Sequence, residues 1–441
     1  MVKRSALASL ILLISLLTLP ALADKATDLQ HLVDRAKDGT ELILPPGEYI
    51  FKPTLFIDPV SGNSSKADSR PVAATVGLML KGKSISIIGS DRKKVIIRTN
   101  AGYGVYVEDC PSVLLKNLTI TGGLRDQDGA ATCAGVVVRR SRVEIAGCII
   151  RDNAGDHSVT IAGVGGVMGR EGALLHIHHN VFRDNTWDAI ALYRGNPGAV
   201  IHDNVIDGGR GAGIGLTWDS RAFCYRNVIT GYWKGIGSFG ASNVSIHNNL
   251  VRDLRVWGIQ CSGQSRMDAR NNTVIRMGNI GLAIWSDEAA GYFSHNVVVD
   301  SGHARGWPYA PGVSFMSGPS DGEESLNCNL FFNGADADFA FEFTDTEDGW
   351  GFGETRDLSG VNGNLVADPL FVDENWSWDA PVEDPLPPIC CVPLDASPLL
   401  DFGPLGYLDP DGSPRDLGIY GGYYGRWGWP VDGEPFVDME E

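Results

Sequence analysis

The chain has 441 residues, a formal charge of −18 and an isoelectric point near 4.9. That balance argues against nucleic acid as a partner, because polyanion binding needs clustered Lys and Arg and only short runs such as Arg92-Lys93-Lys94 and Arg139-Arg140 occur. It also weighs against a strongly anionic polysaccharide unless a local basic cluster overcomes the screened repulsion.

In chain order, Lys3 and Arg4 precede an apolar run from Leu7 to Leu19 and a small-residue cleavage site at Ala21-Leu22-Ala23. This pattern predicts a signal peptide over residues 1–23 and a secreted chain, extracellular or periplasmic. No later apolar stretch reaches the length of a membrane span. Thr27 to Lys37 reads as a short amphipathic helix, with Leu29, Leu32, Val33 and Ala36 at helical spacing and Gly39 just past its end. It is expected to cover the end of whatever follows.

From there the sequence repeats. Asn180, Asn204, Asn227, Asn249, Asn272 and Asn296 recur every 22 to 24 residues, each three positions after an apolar residue. A unit this short cannot bury its apolar side alone and must stack on its copies. An inward-turned Asn at one corner of each coil would bond its counterparts on neighbouring coils, about 4.8 Å away. The predicted class is all-β: a right-handed, single-stranded parallel β-helix of about ten coils, with an N-terminal capping helix and an irregular C-terminal cap. Cys148 and Asn117 extend the ladder towards the N-terminus and Asn329 closes it. The expected division is a solenoid with its cap over 24–332 and an Asp-, Gly-, Pro- and Trp-rich region over 333–441.

Eight cysteines invite a disulfide framework, but a chain this long buries a large core without one. Cys224 and Cys261 fall at core positions. Cys328 with Cys390 or Cys391 is left as a possible bridge.

The Leu-Pro-Pro-Gly-Glu-Tyr segment at 44–49 and the ten coils resemble the right-handed parallel β-helix superfamily of pectate-lyase-like secreted proteins. Asp368-Pro369-Leu370-Phe371 and the run from Asp409 to Gly422 resemble closing segments of many bacterial members. The resemblance implies a polysaccharide lying along one parallel sheet, where it is cut by elimination or hydrolysis, or epimerised. No specific catalytic family is matched. Asn185-Thr186-Trp187-Asp188 only partly echoes the polygalacturonase pattern, and the alginate-epimerase signature is absent.

Candidate site residues come from one predicted sheet, whose strands are anchored at Leu78, Val105, Val136, Val167, Ile190, Ile214, Ile236, Ile259, Leu282 and Val313. Residues one and three after each anchor should point outward, alternating small with large. Tyr193, Trp187, Trp218, Trp233, Trp257 and Trp285 border that sheet, as do Arg305 and Trp307 in a late insertion. Such rings stack on sugar faces. Arg125 and Asp128 sit at the tip of an earlier insertion.

Aligning Arg151-Asp152-Asn153 with Arg183-Asp184-Asn185 places Asp156 over Asp188, roughly 5 Å apart, near enough to split their pKa values and to suit a retaining glycosidase. In that reading Asp156 and Asp188 act as acid, base or nucleophile, His157 assists proton transfer and Arg194 orients substrate. A lyase would use His157 or Lys234 as base, with Arg194 or Arg125 neutralising a uronate carboxylate.

A non-catalytic glycan-binding or cell-surface solenoid, acting as a monomer, is the alternative. No cofactor is required. Asp345-Thr346-Glu347-Asp348 offers carboxylates for Ca²⁺ but lacks calcium-loop spacing. His178, His202 and His247 share an outward position, yet Tyr225 and Arg270 interrupt them, so they read as a surface stripe rather than a metal site.

Overall fold

The computed structural model describes residues 25–60, 70–154, 163–195, 197–286, 288–301, 313–315, 325–332, 341–343, 354–355, 359–372, 390–403 and 408–425. Each coil contributes one strand to each of three sheets. Sheet I, which precedes the Asn ladder, has 11 described strands, sheet II after it has 12, and sheet III has 13. Pairing along each stack is parallel except at the two ends of sheet III, where antiparallel partners close it. One apolar core runs inside the coils from Ala26 to Phe331.

The corners explain why this sequence coils. Immediately before the ladder position stand Gly147, His179, Asp203, Arg226, Asn248, Asn271 and His295, all left-handed with φ between 50° and 62°. This conformation is costly for a side-chain-bearing residue. It turns the next residue inward, where the ladder recovers the cost. The Asn227 Oδ1 accepts from the Asn204 backbone N–H (3.2 Å) and Nδ2 (2.9 Å). Its own Nδ2 donates to Ile201 O (2.9 Å) and Asn249 Oδ1 (2.9 Å). The same pattern repeats without a break from Asn180 to Asn364.

Two details differ from the sequence expectation. Ile149 pairs with Thr119, so Leu118, not Asn117, occupies the ladder position beneath Cys148. Asn117 takes the left-handed corner (φ 54°), a conformation Asn tolerates well. The ladder also outlasts Asn329: Asn364 accepts from Asn329, and Leu365–Val366 still pairs in sheet II, so the solenoid extends past residue 332.

The helix Lys25–Arg35 covers the first coil, with Ala26, Leu29 and Val33 buried in the core. The C-terminal region follows a course not foreseen. Cys390, Cys391, Leu399, Leu417 and Ile419 pack along the outer apolar face of sheet II, against Val228, Leu250, Ile275, Val297 and Leu330. A strap over a face is what that sheet needs, because its outward Val and Leu would otherwise meet water. All eight cysteines are free thiols. Cys390 and Cys391 lie side by side, with sulfurs 3.6 Å apart, and neither bridges to Cys328.

Replacing Asn227 with Ala strands the Asn204 N–H in the interior and removes a second bond from the Ile201 carbonyl. The expected cost is about 1–3 kcal/mol, from the buried group left unpaired, read as a lowered urea midpoint.

Candidate functional site

All ten predicted anchors lie in one register along sheet III, from Leu78 to Val313. A local break in alternation gives the sheet a further outward column. Added Cβ atoms at Gly213, Gly235 and Gly258, one before their anchors, would strike the core side chains Ile229, Val251 and Val274. Those glycines therefore face inward beside the anchors, and the residue before each, Ala212, Lys234 or Trp257, is turned out.

Asp188 and Lys234 flank Ala212 in that column. Their side chains lean over the floor: a Cβ on Gly215 would lie 2.9 Å from Asp188 Oδ2, and one on Gly237 would lie 3.3 Å from Lys234 Nζ. Gly215 and Gly237 are direct partners, so the carboxyl and the amine stand over neighbouring rungs. No salt bridge joins them. The Ala212 N–H donates to Asp188 Oδ1 at 2.6 Å. A Cβ on Gly211 would stand 2.0 Å from the same oxygen, so any larger residue there must displace the Asp188 carboxyl.

Around the pair is an open cleft of about 370 Å³ lined by Trp187, Tyr193, Trp233 and Phe239, with Arg210 at its rim. Burial in this cleft pushes Asp188 up to about 6, against the opposing pull of the Ala212 N–H and the Lys234 charge. Burial likewise lowers Lys234 below its ordinary value, only partly offset by Asp188. Desolvation thus outweighs the mutual attraction, and both groups are driven towards their neutral forms.

Of the sequence-derived candidates, Asp188, Trp187, Tyr193 and Trp233 converge on this cleft. Trp218 stands beside it, its ring centroid 6.1 Å from that of Tyr193. Trp257 and Trp285 pack on each other farther along the sheet, 5.6 Å apart. Asp128 is held by Arg70 through two 2.9 Å bonds in the early insertion, and neither it nor Arg125 lines the cleft. Asp156, His157, Arg305 and Trp307 lie outside the described residues, as does the 345–348 acidic run.

Arg194 requires a correction. It is 1% exposed and its Nη2 donates to Glu171 Oε1 at 2.7 Å. Glu171 also pairs with Arg170, which reaches Asp58 (2.9 Å) on the inserted strand Thr54–Asp58. Arg194 belongs to this buried network, which pins the insertion to the early coils, and does not face the cleft. One lining residue not singled out from sequence is Arg210, whereas Gly215 and Gly237 fall at the expected small outward positions.

An Asp with a raised folded-state value binds more protons folded than unfolded between about pH 4 and 6. Its penalty is absent below that window and full above it. Asp188→Asn is therefore expected to raise stability by about 1–3 kcal/mol near pH 7.5 and to converge with the parent near pH 4, read by urea unfolding at both pH values.

The family model of the right-handed β-helix region matches residues 74–228 and 165–321, together more than half of the chain. No curated protein matches. Among solved structures, a periplasmic alginate epimerase is similar at 15% identity, over 58% of this chain and 71% of that one, with a TM-score of 0.35. A PL6-family polysaccharide lyase from Pseudopedobacter saltans is similar at 15% identity, over 78% of this chain and 92% of that one, with a TM-score of 0.33. The catalytic domain of a GH87 alpha-1,3-glucanase in complex with nigerose is similar at 13% identity, over 77% and 66%, with a TM-score of 0.31. On the matched family model, the chain belongs to the right-handed β-helix family.

Proposed function

We propose that this is an exported, carbohydrate-active protein that cleaves a uronate-containing polysaccharide by β-elimination in the sheet III cleft. The observation that carries the reading is the desolvated Asp188 and Lys234 pair, side by side but unbonded, over a floor of glycine. A neutral amine is a base and a neutral carboxyl is an acid, and burial favours both forms together.

In the proposed step Lys234 removes the proton on the carbon beside the uronate carboxylate. Arg210 at the rim offsets the charge of that carboxylate, and Asp188 gives its proton to the departing glycosidic oxygen. The C–O bond breaks as the C=C bond forms, so atoms and charge balance. Arg210 supplies the local positive charge that an acidic chain needs to hold an anionic substrate. Trp187, Trp233 and Tyr193 supply faces for the sugar rings. Hydrolysis is less well supported, since Asp188 is the only carboxylate among the described lining residues and glycosidases use two.

The test is purified protein against uronate polymers with a neutral glucan as control, followed by ultraviolet absorbance of the new double bond. Lys234→Ala and Asp188→Asn should each lower kcat/KM by about 100-fold or more. The alkaline limb of the parent's pH profile should fall from near pH 6, where Asp188 loses its proton. Reducing ends without absorbance would establish a hydrolase instead. Binding without turnover would leave a glycan-binding solenoid.

A further inference from the structure

A second cluster lies on the outer face of sheet I, where His176, His178, His179 and His202 crowd together. The strands Leu174–His178 and Gly198–His202 are adjacent, with His178 paired to His202. The Nε2 atoms of His176 and His202 are 2.9 Å apart, and so are the Nδ1 atoms of His178 and His179. The rings of His178 and His202 stack at 5.0 Å and 2°.

Carboxylates set the tautomers. An ionised carboxylate only accepts, so the 2.7 Å contact of His202 Nδ1 with Asp203 Oδ2 places the imidazole proton on Nδ1 and the lone pair on Nε2. Arg226 holds Asp203 in turn, at 2.6 Å. His178 Nε2 meets Glu144 Oε1 at 3.3 Å, which turns its Nδ1 lone pair to His179. An imidazole oriented through one nitrogen by a carboxylate, with the other presented to a neighbouring imidazole, is the support that metal-binding histidines receive.

We infer that His176 and His202 form the core of a site for one divalent transition-metal ion of the zinc type, joining two adjacent coils; His178 groups with His176 and Glu144, and His179 with His202 and Asp203, each set within 4.8 Å, so each set offers a further donor. Tetrahedral bonds of about 2.0 Å need nitrogens roughly 3.3 Å apart, a few tenths of an ångström from the 2.9 Å between the His176 and His202 Nε2 atoms. The ion replaces the proton shared between His176 and His202, which is released to solvent on binding. Imidazole donors suit Zn²⁺, Ni²⁺ or Cu²⁺ and not the oxygen-seeking Mg²⁺ or Ca²⁺. The sequence concealed this grouping because His247 drew attention to a long stripe. The core donors instead come from two neighbouring coils and include His176, which stands off the shared position.

The experiment is calorimetric titration of ZnCl₂ into the chelator-treated, dialysed full chain. The expected result is one equivalent bound, with MgCl₂ giving no heat. His176→Gln should weaken Zn²⁺ at least tenfold, and exposed His179→Gln tests whether its ring is the third donor. Asp203→Asn, a change at a positioning residue, should weaken binding by about 10–100-fold with the stoichiometry retained. His247→Gln should bind as the parent does. Circular dichroism of each variant separates loss of the site from loss of the fold. Failure of the parent to bind Zn²⁺, or binding unchanged in folded His176→Gln, overturns the inference.

Discussion

Everything in this molecule depends on the Asn ladder and the left-handed corner residue that feeds it. A parallel strand stack has no hairpin to fix its register, and slipping one residue would turn every side chain over. The bond between Asn227 Oδ1 and the backbone of the coil before it forbids that slip. The corner supplies the geometry and the ladder supplies the compensation. Because the pattern holds from Asn180 to Asn364, each coil inherits its alignment from its neighbours. Functional groups placed on the outside are then positioned by the rungs.

The outer faces use that positioning in three different ways. Early in sheet III, Asp58, Arg139, Arg170, Glu171 and Arg194 neutralise one another and bind an insertion to the coils. In the next coils Asp188 and Lys234 are partly desolvated in the open cleft and lack a direct bond, and their titration shifts accordingly. On sheet I, carboxylates orient imidazoles. Paired charges give a fixed wall, whereas the carboxyl and amine without a mutual bond are held partly desolvated, a state that lowers stability.

Much of this architecture was legible in the sequence because its period is chemical. The Asn spacing, the apolar residue before it and the Gly-hydrophobic strands located every anchor of sheet III and Asp188 beside Trp187. Three things were hidden. Lys234 was a candidate base, but strict alternation turns it inward, and what places it in the outward column is the inward glycine before each anchor. Arg194 is one residue past a strand end, and its burial depends on Glu171 from the coil before. The ladder slip at Asn117 arose because Asn suits both the corner and the ladder, so its identity could not separate them.

The C-terminal strap sets an order of events. Asn248 donates to Ile419 O and Gly421 O, Asn271 donates to Asp416 O, and Gly418 donates to His295 O. These contacts join the middle coils to residues more than 120 positions later in the chain. Coils can add one after another as the chain emerges, since each needs only its predecessor. The outer side of sheet II, however, stays bare until the final segment arrives. Assembly is therefore a gradual winding followed by one long-range closure, and the interval between them is when the half-wound coil is most exposed to aggregation.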